Sequence, residues 1–351
     1  MDGTNHSKGW GERLASFADS PWMQDAIVIL GFGLVIWVII ASARSERWQR
    51  AFRRLGQDRV GLVAGAVISI YLVVGALEAI QVPHREYYSV SLLYHLTKGI
   101  PNESSYSAPL AKSTLSTAKP QPLRGRHLFG TDGLGKDVMV QTMRACRTAL
   151  VIGGLTSAIY IPLGTLFGIF AGYFRGWIDD LIQYVYTVLY SIPQILLLIS
   201  ILLVLGEKSL AKMSIALAIT GWVSLCRLVR GETMRQTERP YVSAARALGQ
   251  THWNIITRHL LPNVLHLVLI TLVLGFSNLV LAEAMLSYLG VGSPIGTPSW
   301  GAMIDAARGE LSREPLVWWN LTSATAALFG LVLSLNLFGD ALRRAFDPRR
   351  G

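Results

Sequence analysis

The chain has 351 residues, 51% of them hydrophobic and only 15% charged, with a formal net charge of +10 at pH 7. That is too apolar for an ordinary soluble domain and places the chain in a membrane. The positive charge would suit nucleic acid, but the arginines stand in short clusters beside apolar runs, which makes them topology signals rather than a binding face.

A helix needs roughly 17–25 mainly apolar residues to cross the hydrocarbon layer. Runs that meet or approach this length lie at 26–43, 60–80, 149–170, 181–205, 210–229, 264–289 and 316–338. Two readings compete for the first. Ala41-Ser42-Ala43 mimics the cleavage site of a signal peptide, yet Lys8 and Arg13 are outweighed by Asp2, Glu12, Asp19 and Asp25 in the leading segment. Cleavage would also strand six arginines outside, so an additional anchoring helix is expected. Those arginines are Arg44, Arg47, Arg50, Arg53, Arg54 and Arg59. Trp48, Phe52 and Leu55 recur among them at helical spacing, as in a helix lying flat in the headgroup region. An elbow helix that orients the next span and a plain basic stop signal both fit.

Beyond the second run, residues 82–125 form an outer segment, rich in Ser, Lys and Pro over 87–120, with no role assigned. Glu78 stands close enough to that side to reach water. Residues 130–137 read Gly-Thr-Asp-Gly-Leu-Gly-Lys-Asp, which matches a phosphate-cradling loop except at its last position. Asp137 stands where that chemistry needs a hydroxyl for Mg²⁺, and no buried strand leads in, so nucleotide binding is not expected. Cys146 and Cys226 sit near run ends without spacing partners, which excludes a disulfide framework and a metal site and leaves packing. Pro162 and Pro193 can kink their helices. Glu283 falls mid-span, where a carboxylate is expensive; it either lines a pathway or bonds to a neighbouring helix.

Residues 240–262 are polar and arginine-bearing between two apolar runs. Pro240 suits a helix's first turn, where its missing N–H costs nothing. Ala244, Ala245 and Ala247 favour helix and present little bulk, so another protein's groove can approach closely. Gly249 is expected to end that helix. Thr251 can then cap a second helix carrying Trp253, Ile256 and Leu260, which Pro262 brings to the next span. The blander reading is a solvated connector with a chance glycine.

Orientation follows from three basic clusters: 44–59, 227–258 and the tail with Arg343, Arg344, Arg349 and Arg350. Four runs separate the first two clusters and two separate the next, so all three can share the cytoplasmic side. The N-terminus then lies outside, 81–150 forms a large external segment, and the C-terminus is cytoplasmic.

Leu128-Phe129-Gly130-Thr131-Asp132-x-Leu134-Gly135-Lys136-Asp137-Val138 resembles the signature before the second core helix of dipeptide, oligopeptide and nickel ABC-importer permeases, with Lys136 where arginine is usual. Tyr241, Ser243, Ala244, Ala245, Arg246, Leu248, Gly249, His259, Leu261 and Pro262 resemble the ATPase-coupling loop of that family, with Ser243 in place of its glutamate. Ala282-Glu283-Ala284, Pro298-Ser299-Trp300-Gly301 and the closing segment 336–349 follow in register, so the resemblance covers roughly 44–351. The chain is most similar to the C-type permease subunit.

That resemblance implies an all-α polytopic membrane protein: a six-helix permease core plus one additional N-terminal transmembrane helix. It divides the chain into 1–43, 44–141 and the core 142–351, with the coupling loop at 231–262. The implied role is half of a pathway for short peptides across the bacterial inner membrane. A second permease subunit, two cytoplasmic ATP-binding subunits that bind the ATP, and an external solute-binding protein are the implied partners. No catalytic residue, metal or cofactor of its own is expected. A nickel or other small-solute permease is an alternative, as is a membrane-embedded enzyme, although neither H-E-x-x-H nor G-x-S-x-G occurs and the seven histidines are scattered.

Overall fold

The computed structural model describes residues 46–82, 90–115, 120–294 and 296–347, with Ser20, 23–26 and Val28. Most of the first apolar run, and with it the choice between anchor and signal peptide, lies outside the described residues.

The described chain is helical apart from one short antiparallel pair, β1 (Gln81–Val82) with β2 (Val90–Ser91). An amphipathic α1 (Glu46–Leu55) leads into α2 (Arg59–Ala79), capped by Asp58, whose Oδ1 accepts the amide N–H of Val60 and Gly61. After α3 (Leu92–Thr97) and an irregular outer segment come α4 (Val138–Phe174), α5 (Gly176–Ser191), α6 (Gln194–Leu205) and α7 (Leu210–Thr237). Two short helices, α8 (Pro240–Ala247) and α9 (His252–Ile255), precede α10 (Leu261–Tyr288), and α11 (Trp300–Glu310) precedes the closing α12 (Trp319–Phe346). Among the described residues five helices are long and apolar enough to cross a membrane, or six if the bent pair α5–α6 is one span. The chain is an all-α polytopic membrane protein.

The described helices revise the expected spans in three places. The run 181–205 is not one straight span, because α5 and α6 meet at 93° across Ile192–Pro193. Proline lacks the N–H that would continue the ladder, and Ile192 before it is extended (ψ 132°). The outer segment ends at Val138, not near 150: α4 runs 37 residues, and its first turns carry the polar Gln141, Thr142, Arg144 and Arg147, which hid them from a hydropathy reading. Pro262 does not separate two helices, since His252–Tyr288 is continuous. A π-helical segment over Ile256–Leu260 shifts the ladder so that Leu261 N–H reaches the Ile256 carbonyl, and Asn263 Nδ2 donates to His259 O at 2.7 Å.

The seam between α4 and α7 is a close approach of backbones. Gly164, Gly168 and Gly172 form one stripe on α4, and an added Cβ would stand 2.9, 2.8 and 2.7 Å from the carbonyl oxygens of Trp222, Cys226 and Arg230 on α7. Small residues at every fourth position are what membrane helices use where backbones must nearly touch. At the end near the α7 C-terminus, Trp48 of α1 is only 4% exposed, set edge-on to Phe346 at 4.9 Å. The apolar stripe of α1 therefore covers α12 instead of lying open to lipid, and Arg344 closes the corner on Asp58 at 2.7 Å.

At the opposite end the outer segment is pinned to the bundle. Trp319 Nε1 donates to Thr131 O at 2.9 Å and Trp300 Nε1 to Thr142 O at 3.0 Å. Glu310 closes α11 against α12, accepting from Asn320 Nδ2 at 3.1 Å. Burial pushes its carboxyl pKa upward, partly offset by that hydrogen bond. A raised acid pKa costs nothing below the unfolded value of about 4.3 and destabilises progressively as pH rises through the folded value. Glu310→Gln should therefore raise the thermal midpoint in detergent more at pH 8 than at pH 4; an equal gain at both would show that charge burial is not the cause.

Candidate functional site

Two features stand out: the unit 240–263 at one end of the bundle, and a cavity in mid-span. Arg239 enters the first extended, Pro240 follows at N1, and α8 closes with Gly249 at φ +75°. Gly249 N–H reaches Arg246 O at 3.0 Å and Gln250 N–H reaches Ala245 O at 3.1 Å, the double bond of a Schellman cap. Thr251 Oγ1 then accepts the Asn254 amide N–H and caps α9.

The unit is fastened to the spans. Val242 and Ala245 face inward with Ile255 and Leu260, and all four are buried. Tyr173, at the end of α4, shares a 2.7 Å hydrogen bond with His252 Nδ1, and the Arg246 guanidinium lies 5.0 Å from the Tyr173 ring centre. Tyr241 donates to Gln236 Oε1 at 2.8 Å and accepts from Asn263 Nδ2, while His259 Nε2 meets Gln250 Oε1 at 3.2 Å. Movement of α8 must therefore carry the ends of α4, α7 and α10 with it.

Of the residues singled out in the sequence, Tyr241, Ser243, Ala244, Arg246, Leu248, Gly249 and Pro262 lie on the exposed side, Ala245 is buried, and His259 and Leu261 are half-buried. Leu248 is 80% exposed and Trp253 63% exposed. Large apolar side chains held out this far by a rigid cap suit burial by another protein. Val242 was missed; its i, i+3 relation to Ala245 on an amphipathic helix was the available signal.

The cavity has a volume of about 830 Å³ between α4, the α5–α6 bend, α7 and α10. Its polar lining is uncharged and includes Tyr160, Tyr190, Gln194, Thr220, Ser224 and Asn278. Tyr160 reaches it from α4 because Gly275 leaves room, where a Cβ would stand 2.6 Å from the hydroxyl oxygen. The sequence could not nominate these residues, since single polar residues in apolar runs acquire meaning only when five helices turn them to one space. Glu283 is not part of this lining. It is 1% exposed, and its Oε1 accepts from Ser287 Oγ at 2.8 Å and from Ser299 Oγ at 2.7 Å, tying α10 to the start of α11.

The segment 130–137 forms a clasp at the other end. Gly130 and Gly135 both have φ +72°, and Thr131 Oγ1 donates to Ser105 O at 2.8 Å. Asp132 Oδ1 accepts the amide N–H of Leu134 and of Lys136. Asp137 caps α4 through Val140 N–H and meets His127 Nδ1 at 2.8 Å, and His127 Nε2 faces Glu103 at 3.2 Å. Acceptors thus fill the place where a phosphate loop would present donors.

A family model described as "Binding-protein-dependent transport system inner membrane component" matches residues 164–351, which hold nearly all of the cavity lining and the whole 240–263 unit. The chain belongs to this family. It is a transmembrane permease subunit, of the C type that peptide ABC importers carry. The permease is 34% identical over 223 residues to the glutathione transport system permease protein GsiD of Pectobacterium atrosepticum, covering 64% of this chain and 73% of that one. It is 28% identical over 310 residues to the oligopeptide transport system permease protein OppC of Bacillus subtilis, covering 88% and 92%. To the dipeptide transport system permease protein DppC of Alkalihalophilus pseudofirmus it is 30% identical over 302 residues, covering 86% and 90%.

Proposed function

We propose that this permease forms half of the pathway by which an ATP-driven importer carries short peptides across the bacterial inner membrane. Its partners are a second permease subunit, two cytoplasmic ATP-binding subunits and an external solute-binding protein. The observation that carries the reading is Leu248 and Trp253, held out on a capped unit whose other face is fastened to α4, α7 and α10. The basic clusters put that unit in the cytoplasm with the C-terminus, and the N-terminus outside. ATPase closure then pushes the unit and shifts the helices around the cavity. Tyr241, Ser243, Ala244, Arg246 and Leu248 form the contact face, and Ser243 offers a hydroxyl where a charged contact is usual. ATP binds to the partner subunits; the permease holds no cofactor or metal and catalyses no reaction.

Peptide is favoured as the substrate class because relatives named for dipeptides, oligopeptides and glutathione match along most of this chain. An enzyme built on His127 finds no support, since both ring nitrogens already face carboxylates. The test is affinity purification of the tagged chain from native membranes in mild detergent, followed by peptide-stimulated ATP hydrolysis. Recovery of a second permease with two ATP-binding subunits, and stimulation by peptide, is expected. The chain alone, where a control importer stays intact, would overturn the reading.

A further inference from the structure

The cavity's polar wall does not end where the cavity does. Thr220 and Ser224 line it from α7, and Arg227 comes next at the spacing that keeps one helix face. Its guanidinium carbon lies 4.1 Å from the ring centre of Tyr190 and 5.2 Å from that of Tyr186. Those tyrosines are one turn apart on α5, just before the bend at Ile192–Pro193, and Tyr190 also lines the cavity. One turn further along α7, Arg230 Nη2 donates to Asp179 Oδ2 at 2.7 Å and Nε to Oδ1, so that pair neutralises itself. Among the described residues Arg227 has no carboxylate within ion-pair distance; it is exposed, with aromatic faces as its cover.

An uncharged cavity is thus bordered, on the side of the 240–263 unit, by one cation resting on two rings. A cation–π contact at an exposed position is weak beside a bidentate charge-assisted hydrogen bond, so an arriving carboxylate can draw the guanidinium off the tyrosines. The planar fork of arginine suits a carboxylate better than a lysine ammonium does, although either supplies the charge.

We propose that Arg227 is the binding site for the free carboxylate of the transported solute as it leaves the cavity, with Tyr186 and Tyr190 holding the guanidinium ready between cycles. This rests on the peptide-permease reading and sharpens its substrate class to solutes with a free carboxylate.

The test is ATP-driven uptake of trialanine and of its C-terminal amide by the complete importer in liposomes, with wild type, Arg227→Lys and Arg227→Gln. Loss of the charge-assisted contact should lower trialanine uptake about tenfold in Arg227→Gln. Arg227→Lys, which keeps the cation, should stay within about threefold of wild type. Uptake of the amide should be no lower in Arg227→Gln than in wild type, and every variant should co-purify with its partner subunits. Trialanine uptake undiminished in Arg227→Gln, equal losses in the Lys and Gln variants, or an amide that falls in step with the acid would overturn the inference. No peptide uptake by wild type, from a complex that hydrolyses ATP, would overturn the peptide reading and this inference with it.

Discussion

Gly249→Val is expected to abolish ATP-driven uptake while the chain still inserts in normal amount. Gly249 sits at φ +75°, and an added Cβ would meet nothing within 4 Å. The cost is therefore backbone strain: about 1–2 kcal/mol for an ordinary L-residue in the left-handed region, and more for a β-branched one. The cap has two hydrogen bonds to lose, at Arg246 O and Ala245 O. Valine should release both bonds, fray the last turn of α8 and turn Leu248 away from its exposed position. The spans, which an added Cβ at Gly249 would not reach, should still insert. Asparagine tolerates this conformation, so Gly249→Asn should retain most of the activity. Uptake into right-side-out vesicles, or into liposomes holding the complete importer with ATP enclosed, together with recovery of the ATP-binding subunits on the tagged chain, reads both effects. Wild-type uptake by the valine variant would remove this loop from the coupling role.

Gly168→Leu should fail earlier, at the fold. A Cβ at this position would stand 2.7 Å from the Val229 Cβ and 2.8 Å from the Cys226 carbonyl oxygen. Neither can swing aside, because one is bonded directly to Cα and the other is backbone. Overpacking a tight core typically costs about 1–3 kcal/mol, and a leucine against a carbonyl belongs at or above the upper end. With Gly164 and Gly172 equally close on either side, the strain cannot be spread along the seam. Gly168→Leu should be strongly depleted from membranes, and Gly168→Ala should reach them with a lowered thermal midpoint in detergent. A leucine variant that melts like wild type would show that α4 and α7 are not in backbone contact there.

The two substitutions also separate what could be read locally from what could not. Pro240, Gly249 and Thr251 announced a capped two-helix unit because each acts through its own dihedral angles or on amide groups three or four residues away. Val242 and Ala245 turn inward for a reason equally local, although only the alanine was singled out. Asp137 could be rejected as a phosphate-loop residue from its side chain alone, but its partnership with His127, ten residues back and buried, needed the outer segment folded over it. Glu283 was ambiguous in sequence, since a mid-span carboxylate needs a partner and the sequence does not say which; Ser299 lies sixteen residues on, across a turn of the chain.

By itself the sequence determined that this is an all-α chain crossing a membrane several times, which family it joins, and where its rigid loop lies. The first and the last are properties of apolar run length, arginine placement and helix punctuation, each set within about one span of chain, and the family rests on the motifs that resemble its members. The tertiary structure alone decided that α5 and α6 turn through a right angle, that Tyr160, Gln194, Ser224 and Asn278 share one space, and that Arg227 rests on Tyr190 beside it. Helix period tells which residues share a face. It does not tell which face meets which neighbour, and a pathway exists only where several faces meet.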